Sequence, residues 1–469
     1  MIYSNLFLRE PDRRVRAALI GAGSFGRAIV TQAPLIRRLD LCAVADIHVE
    51  TARAAFLQSG YTADDIAICE SHEAALRALE AGRVVVVGDA LLLMDLPLDV
   101  IASATRVPEA AALYAREAIA HSKHVVMIDK EADAVVGPIL KWRADAAGVV
   151  YTTDDGDQPG LLMGLVAWAR ELGMEVLAGG DLRDALYDPS NGTVSRGGRS
   201  VVVPADHRWA LDPIPAGEAP RYARARRALL AALGEPDALG DPVCHMAVAA
   251  NNTGLTPEAP IGYRATLRVP EIPMVYCPQD DGGILQNRGV LDVAYALHTA
   301  DQPHGGGGVF IVVANADPVS RATMIDKGLY ANPSGTAMLV YRPYHLCGAE
   351  TAMSILCAGL LGVPTGSADL RPRVDMAATT TRPFAAGETI SRPGGLSYDP
   401  DLHASLVPGG SLGLDRPVPF FMLEGVRVTQ AVTAGATITG SMVEHPRNSA
   451  LWSLREEQDK VFYPQEVTR

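Results

Sequence analysis

The sequence is short of several things, and each shortage removes a class of function. No apolar run reaches the roughly 18 residues that a membrane helix needs. The longest candidates, 161–168 and 352–363, are broken by glycine. The first 16 residues have no apolar core followed by a small-residue cleavage site, so no signal peptide is expected. Basic charge is in deficit: 41 Lys and Arg stand against 54 Asp and Glu, a net charge of −13. That balance argues against a general nucleic-acid binder and serves solubility. Cysteine is scarce: Cys42, Cys69, Cys244, Cys277, Cys347 and Cys357 form no C-x-x-C and no metal-type cluster. Several sit in apolar runs and read as buried thiols, which points to a reducing cytoplasm. No internal repeat or low-complexity tract stands out. No membrane or nucleic-acid partner is therefore expected. A hydrophobic share of 48% and a charged share of 20% over 469 residues fit a soluble globular chain, for which about three domains is the prior.

What the chain does have is Gly21-Ala-Gly23-Ser24-Phe25-Gly26, placed between the apolar run Val15–Ile20 and a helix-compatible segment, 27–32. Asp46 follows 20 residues after Gly26, at the end of a second apolar run, 41–45. A G-x-G-x-x-G alone is a weak match, but strand, glycine turn, helix, strand and acid in this order form the dinucleotide-binding fingerprint. Gly21 allows the tight turn, Gly23 lets the backbone approach a pyrophosphate, and Gly26 lets the helix pack on the sheet. The helix N-terminus offers N–H groups and positive dipole to the phosphates. Asp46 can accept hydrogen bonds from both ribose hydroxyls. It favours NAD(H), because a 2′-phosphate would meet its charge. Arg53 nearby could soften that preference and keeps NADP(H) open. The bland alternative is a glycine turn that binds no nucleotide.

The first 150 residues alternate β-branched runs (15–20, 41–46, 84–87, 100–104, 124–128, 149–152) with alanine-rich helical stretches (51–58, 71–80, 108–121, 131–147). This alternation predicts a doubly wound parallel sheet of α/β class. Its ligands should lie outside the carboxyl ends of the strands, which directs attention to Asp46, Gly88-Asp89, Ala104-Thr105, Asp129-Lys130 and Asp154-Asp155. Beyond Gly156 a helix over 159–172 and a strand at 175–178 are expected, then a Gly-, Pro- and Ser-rich loop over 187–220. A helix is expected over 219–233. Its run Arg221-Tyr-Ala-Arg224-Ala-Arg226-Arg227 could meet a phosphate, but reads more simply as a solvated face. A buried helix at 244–250, strands between 262 and 313, and a tight or phosphate-approach loop at 305–308 follow. The last hundred residues have few helix signals and many turns, and read as a small β-rich module. The expected division is 1–155 for dinucleotide binding, 156–370 for substrate binding and oligomerisation with α+β character, and 371–469 for the β module.

Several segments carry a family resemblance: Ile20-Gly-Ala-Gly-Ser-Phe-Gly26, Ala115-Arg-Glu-Ala-Ile-Ala-His-Ser-Lys-His-Val-Val-Met127, Glu131-Ala-Asp133 with Gly137-Pro138, Gly156-Asp-Gln-Pro159, Ala250-Asn-Asn-Thr-Gly254, Tyr341-Arg-Pro-Tyr-His-Leu346 with Glu350, and Ala378-Thr-Thr-Thr-Arg-Pro-Phe-Ala-Ala-Gly-Glu388. Together they resemble homoserine dehydrogenase-like proteins with a C-terminal SAF domain, a group that includes the deoxyxylulose-phosphate reductoisomerase-like enzymes. The resemblance implies an NAD(P)-dependent oxidoreductase acting on a small polar carbonyl or hydroxy compound, and a homodimer or homotetramer. A reductoisomerase on a sugar phosphate and a nucleotide-bound sensor without turnover are its rivals.

Hydride transfer at a carbonyl needs a proton donor or acceptor and a group to receive oxyanion charge. Lys130 directly follows the strand at 124–128, and homoserine dehydrogenases carry a lysine at a similar strand end within Thr-Ala-Asn-Lys. Here the residues are Met127-Ile-Asp129-Lys130. Flanked by Asp129 and Glu131, its charged form should be favoured, which suits electrostatic stabilisation. The plain alternative is a surface lysine paired with one of those acids. Asp157 and Gln158 fall just after the last strand, where a carboxylate and an amide could hold a substrate hydroxyl or move a proton; helix capping is the alternative. Asp154, Asp155 and Asp157 could also bind a metal, but no histidine or further acid supports it, and no metal is expected. The second lysine of the related enzymes is missing, since 178–184 reads Ala-Gly-Gly-Asp181-Leu-Arg183-Asp. Arg183 could replace the charge but is a poor proton donor. Asn191-Gly-Thr193 reads as a turn. Asp181, Arg183, Asn252, Tyr344 and His345 are the remaining substrate-site candidates with Gln158, and His304 beside its glycines is a lesser one. For Tyr344 and His345 a structural corner is the competing reading.

Overall fold

A computed structural model describes residues 2–233, 240–303 and 306–467. The chain forms two compact units: Met1–Gly160 with Leu346–Ser397 and Gly409–Arg469, and Leu161–His345 with Tyr398–Pro408. The sequence reading expected three consecutive domains; here later segments return to the first unit.

The strands of the first unit's main sheet are β1 (Val15–Ile20), β2 (Leu39–Ala45), β3 (Ile66–Cys69), β4 (Val84–Val87), β5 (Val100–Ser103), β6 (His124–Met127) and β7 (Tyr151–Thr153). Their order is β3-β4-β2-β1-β5-β6-β7, and every pairing is parallel. The helices between them are α2 (Ser24–Gln32), α3 (Val49–Gln58), α4 (His72–Glu80), α5 (Pro108–Ala120) and α6 (Lys130–Ala147), after a short α1 (Ile2–Phe7). Strands such as Val84–Val87 are buried at every residue, as a parallel sheet covered on both faces requires. The expected doubly wound α/β sheet is therefore present. The order reverses between β1 and β5, the switch point at which such sheets bind ligands. The sequence reading did not anticipate β3, whose third residue, Ile68, is exposed.

The core of this unit joins Val15, Ala17 and Leu19 of β1 to Ile29 and Val30 of α2 and to Ala55 and Phe56 of α3. It also takes in Ile355, Leu356 and Ala358. A Cβ on Gly359 would meet Val15 Cγ1 at 2.5 Å, so that segment packs tightly on the first strand.

The second unit begins within α7 (Gln158–Glu171). Its sheet runs β10-β9-β8-β12-β11, with β13 pairing both β8 and β14. The strands are β8 (Val176–Asp188), β9 (Thr193–Arg196), β10 (Arg199–Val202), β11 (Thr266–Leu267), β12 (Val290–His298), β13 (Gly308–Ala314) and β14 (Ala337–Arg342). Helices α8 (Ala219–Leu230), α9 (Gly240–Thr253), α10 (Ile272–Val275) and α11 (Pro318–Asp326) complete it. The stretch 187–220, expected as loop, instead holds the β9–β10 hairpin and a 3-10 segment, Ala205–Leu211. Gly197 and Gly198 both have positive φ (56° and 74°), which a two-residue primed hairpin turn demands.

In the C-terminal hundred residues β15 (Val374–Thr380) and the short pair β16 (Thr389–Ile390) and β18 (Val426–Arg427) belong to the first unit, while β17 (Leu402–Pro408) belongs to the second. After α12 (Thr351–Leu356), the last long helix is α13 (Ala450–Phe462), which the sequence reading missed. Its start is fixed from outside: Glu109 accepts the Ala450 and Leu451 N–H groups, while Ser449 Oγ accepts from Trp452 N. No helix among the described residues is long and apolar enough to cross a membrane.

Candidate active site

The glycine turn leaves β1 at Ile20. Gly21 adopts φ +98° and donates its N–H to Ala45 O at 2.8 Å. A Cβ there would stand 2.2 Å from Ala104 O, and one on Gly26 would stand 2.0 Å from Gly21 O. These two glycines are required by close packing of backbone. Gly23 differs: it precedes α2 at φ −63°, and a Cβ on it would meet nothing within 4 Å. Nothing among the described residues excludes a Cβ at Gly23. The open space above it, at a helix N-terminus, suits a pyrophosphate. Ser24 is exposed and Phe25 half-buried in the first turn of α2.

Asp46 lies at the carboxyl end of β2 and is tied to this turn. Its Oδ2 accepts the Ala22 N–H at 2.7 Å and its Oδ1 the His48 N–H at 2.8 Å. A carboxylate has about four lone-pair positions, so capacity for ribose hydroxyls remains. Arg53 pairs with Glu50 at 3.2 Å, an exposed pair that offsets its charge.

Ala104 and Thr105 follow β5 opposite Gly21. They are held by Asp129, which is buried and accepts from Ser103 Oγ at 2.6 Å, Thr105 Oγ1 at 3.2 Å and the Arg106 N–H. The clamp holds Arg106 at φ +59°, a conformation that costs a non-glycine residue energy. Burial pushes the Asp129 carboxyl up to about 6, against the pull of these donors. Beside the clamp is a cavity of about 390 Å³ whose walls include Thr105, Arg106, Glu131, Leu396, Ser397 and Phe421.

Lys130 opens α6 and its ammonium pairs with Asp157 Oδ2 at 3.3 Å; the two side chains are 21% and 17% exposed. A cation at a helix N-terminus opposes the dipole by about 0.3–1 kcal/mol. Glu131 and Asp133 in the same turn offset this. The flanking acids turn elsewhere: Asp129 into its clamp, and Glu131 to the Ser397 hydroxyl at 2.9 Å. Asp157 also accepts the Gln158 N–H at 2.8 Å, so ion pairing and the start of α7 share one carboxylate. Gln158 itself is buried.

Asp154 directly follows β7 and is 2% exposed. Its Oδ2 accepts from Thr351 Oγ1 at 3.1 Å, while its buried Oδ1 has no hydrogen-bond partner among the described residues. Burial, then the charges of Asp157 and Asp155, raise this carboxyl to about 8 despite the Gly156 N–H and the Thr351 hydroxyl. The residue therefore carries a proton at neutral pH. The sequence reading took this residue as a strand-end acid and, with Asp155 and Asp157, weighed it as a metal ligand; it did not anticipate the burial.

The other candidates belong to the second unit. On β8, Asp181 accepts from Arg183 at 3.2 Å and faces His245 Nδ1 at 3.0 Å. His245 was not singled out from sequence, because it sits inside the apolar run of α9 with no spacing signal. Asn252, on the same helix, donates to Val248 O at 2.9 Å. Tyr344 is exposed under the Arg342 guanidinium, 5.1 Å from its ring centre, and His345 Nδ1 contacts Gly307 O. Residues 189–192 form the turn between β8 and β9, as expected for Asn191-Gly-Thr193. His304 and Gly305 lie outside the described residues.

Residues 241–351 match the family model described as Oxidoreductase DRL, catalytic domain. No curated protein matches the chain significantly. Among solved structures, the chain is similar to an oxidoreductase domain protein from Kribbella flavida (18% identity, TM-score 0.27, covering 37% of this chain and 44% of that one). It is also similar to the WlbA dehydrogenase from Bordetella pertussis in complex with NADH and UDP-GlcNAcA (19%, TM-score 0.25, 38% and 48%). A third is levoglucosan dehydrogenase in complex with NADH and L-sorbose (19%, TM-score 0.26, 38% and 45%). The chain thus spans just under half the length of each of these structures.

Proposed function

We propose that this chain is an NAD(P)-dependent oxidoreductase that moves a hydride to or from a small polar carbonyl or hydroxy compound, carboxylated or phosphorylated. The observation that carries the reading is the open face of Gly23 between two sterically obligate glycines, with Asp46 tied to the same turn at the switch point of a parallel sheet. The match of 241–351 to an oxidoreductase catalytic domain supports it independently. Asp46 favours NAD(H), and the Glu50 carboxylate beside Arg53 strengthens that preference.

The nicotinamide supplies the hydride when bound. The chain supplies charge and protons. Lys130 stabilises oxyanion charge at the reacting carbonyl, and Asp157 orients its ammonium. The neutral form of Asp154 removes one negative charge from the 154–157 run beside the Lys130–Asp157 pair. Asp129 sets the Ala104–Thr105 backbone against the glycine turn. The homoserine dehydrogenase-like subtype, the SAF-like character of 371–469, a cytoplasmic location and a homodimeric or homotetrameric assembly belong to the same proposal. With Arg183 where relatives carry lysine, proton transfer falls to groups other than that second lysine.

The test is turnover of NADH, NADPH and their oxidised forms with panels of small aldehydes, keto acids and hydroxy acids. At least one class should turn over, and Lys130→Met should lower kcat by about 10²–10³. Cofactor that binds without turnover on any panel would contradict the enzyme reading and favour the sensor.

A further inference from the structure

Of the arginine run on α8, Arg221, Arg224 and Arg227 are exposed along one face, as the solvated-face reading expects, and Arg226 departs from it. Arg226 is fully buried, with its guanidinium on Glu271 at 2.6 Å and on the Ala210, Asp212 and Thr266 carbonyls. Arg221 is exposed and pairs with Glu218 at 2.9 Å, its guanidinium over the Trp209 ring. Arg224 and Arg227 take neither course. They stand three residues apart, hence on one helix face, and both line a cavity of about 540 Å³ in the second unit. Neither makes a hydrogen bond or ion pair among the described residues.

The rest of the wall fixes what the cavity can hold. Ala223, Ala265, Ile284 and the Tyr263 ring give it an apolar side, and Gln279 and Gln286 face it as amides. Among the described residues no carboxylate lines it. Glu258, which contacts the lining residues Tyr263 and Gln286, accepts the Tyr263 hydroxyl at 2.6 Å and the Gln286 and Asn287 N–H groups. The backbone N–H groups of Gln279, Gly283, Ile284 and Leu285 are satisfied within their own loop, and Gln279 donates its side-chain amide to Ile284 O. The side-chain donors left for a ligand are two guanidiniums, the Gln286 amide and the second N–H of the Gln279 amide. In a chain of net charge −13, two adjacent cations without a counter-charge in a concave site call for an anion.

We propose that this cavity binds a phosphorylated small molecule, with the phosphate held between Arg224 and Arg227 and a compact, partly apolar body against Tyr263 and Ile284. Two guanidinium forks match the three oxygens of a phosphate monoester, whereas one carboxylate occupies a single fork. The volume lies in the range of small-molecule sites. The inference does not rest on the dinucleotide reading, whose residues lie in the first unit.

The test uses the full chain and phenyl phosphate, titrated by calorimetry. Binding is expected in the wild type, at least tenfold weaker with Arg224→Gln/Arg227→Gln, and unchanged with Arg221→Gln. Inorganic phosphate and benzoate should each bind more weakly than phenyl phosphate. A readout without variants is modification by phenylglyoxal: phenyl phosphate should protect Arg224 and Arg227 but not Arg221. Absence of binding, equal affinity in the double variant, equal affinity for inorganic phosphate or benzoate, or unprotected Arg224 and Arg227 would each overturn the proposal.

Discussion

The three glycines of the first turn do different jobs, and the difference is measurable. Gly26→Ala drives a Cβ into Gly21 O and should cost about 1–3 kcal/mol, read as a lower denaturation midpoint. Gly23→Val meets open space, so folding should survive while cofactor binding fails. The motif was legible from sequence because turn, close approach and helix packing leave a fixed spacing of glycines. Lys130 and Asp157 were legible as strand-end residues, but not as a pair, since 27 residues separate them. Asp154 and His245 acquire their character from burial and from partners distant in the chain, which no local pattern encodes.

At the scale of elements, the β/α alternation of the first 150 residues carried the sheet, because most of its strands are buried along their length and helices α3 to α6 are alanine-rich. Failures came where composition hid a local turn or where tertiary contacts decide. The 193–202 hairpin is specified by Gly197-Gly198 within a stretch whose composition looks like loop. Helix α13 hides buried charge: Arg455 is 1% exposed and held by Asp375 at 2.5 Å and by Asp459 at 2.9 Å. A buried arginine reads as surface in sequence. Arg455→Met leaves two carboxylates without their cation and should cost about 3–5 kcal/mol, measured by chemical denaturation. Asp375→Asn combined with Arg455→Met should recover part of that loss.

Buried carboxyls give the whole molecule a pH signature. Asp129, Asp133 and Asp292 are raised to about 6 and Asp154 to about 8, in each case chiefly by burial. Between the unfolded carboxyl range near pH 4 and these values, the folded chain holds protons that the unfolded chain has released. These groups therefore lower stability as pH climbs through that window, with Asp154 alone acting in its upper part, and level off above it. The urea midpoint of Asp154→Asn should fall less between pH 6 and 8 than that of the wild type; parallel curves would contradict the assignment. The central claim is also one about the whole molecule: that it holds a nicotinamide dinucleotide on the turn Gly21–Gly26. The most direct measurement is a fluorescence titration of wild type and Gly23→Val with NADH, with thermal melts alongside. Saturable binding in the wild type, lost by at least tenfold in a variant that melts at the same temperature, is the expected result. No binding in the wild type, or equal binding in Gly23→Val, would contradict it.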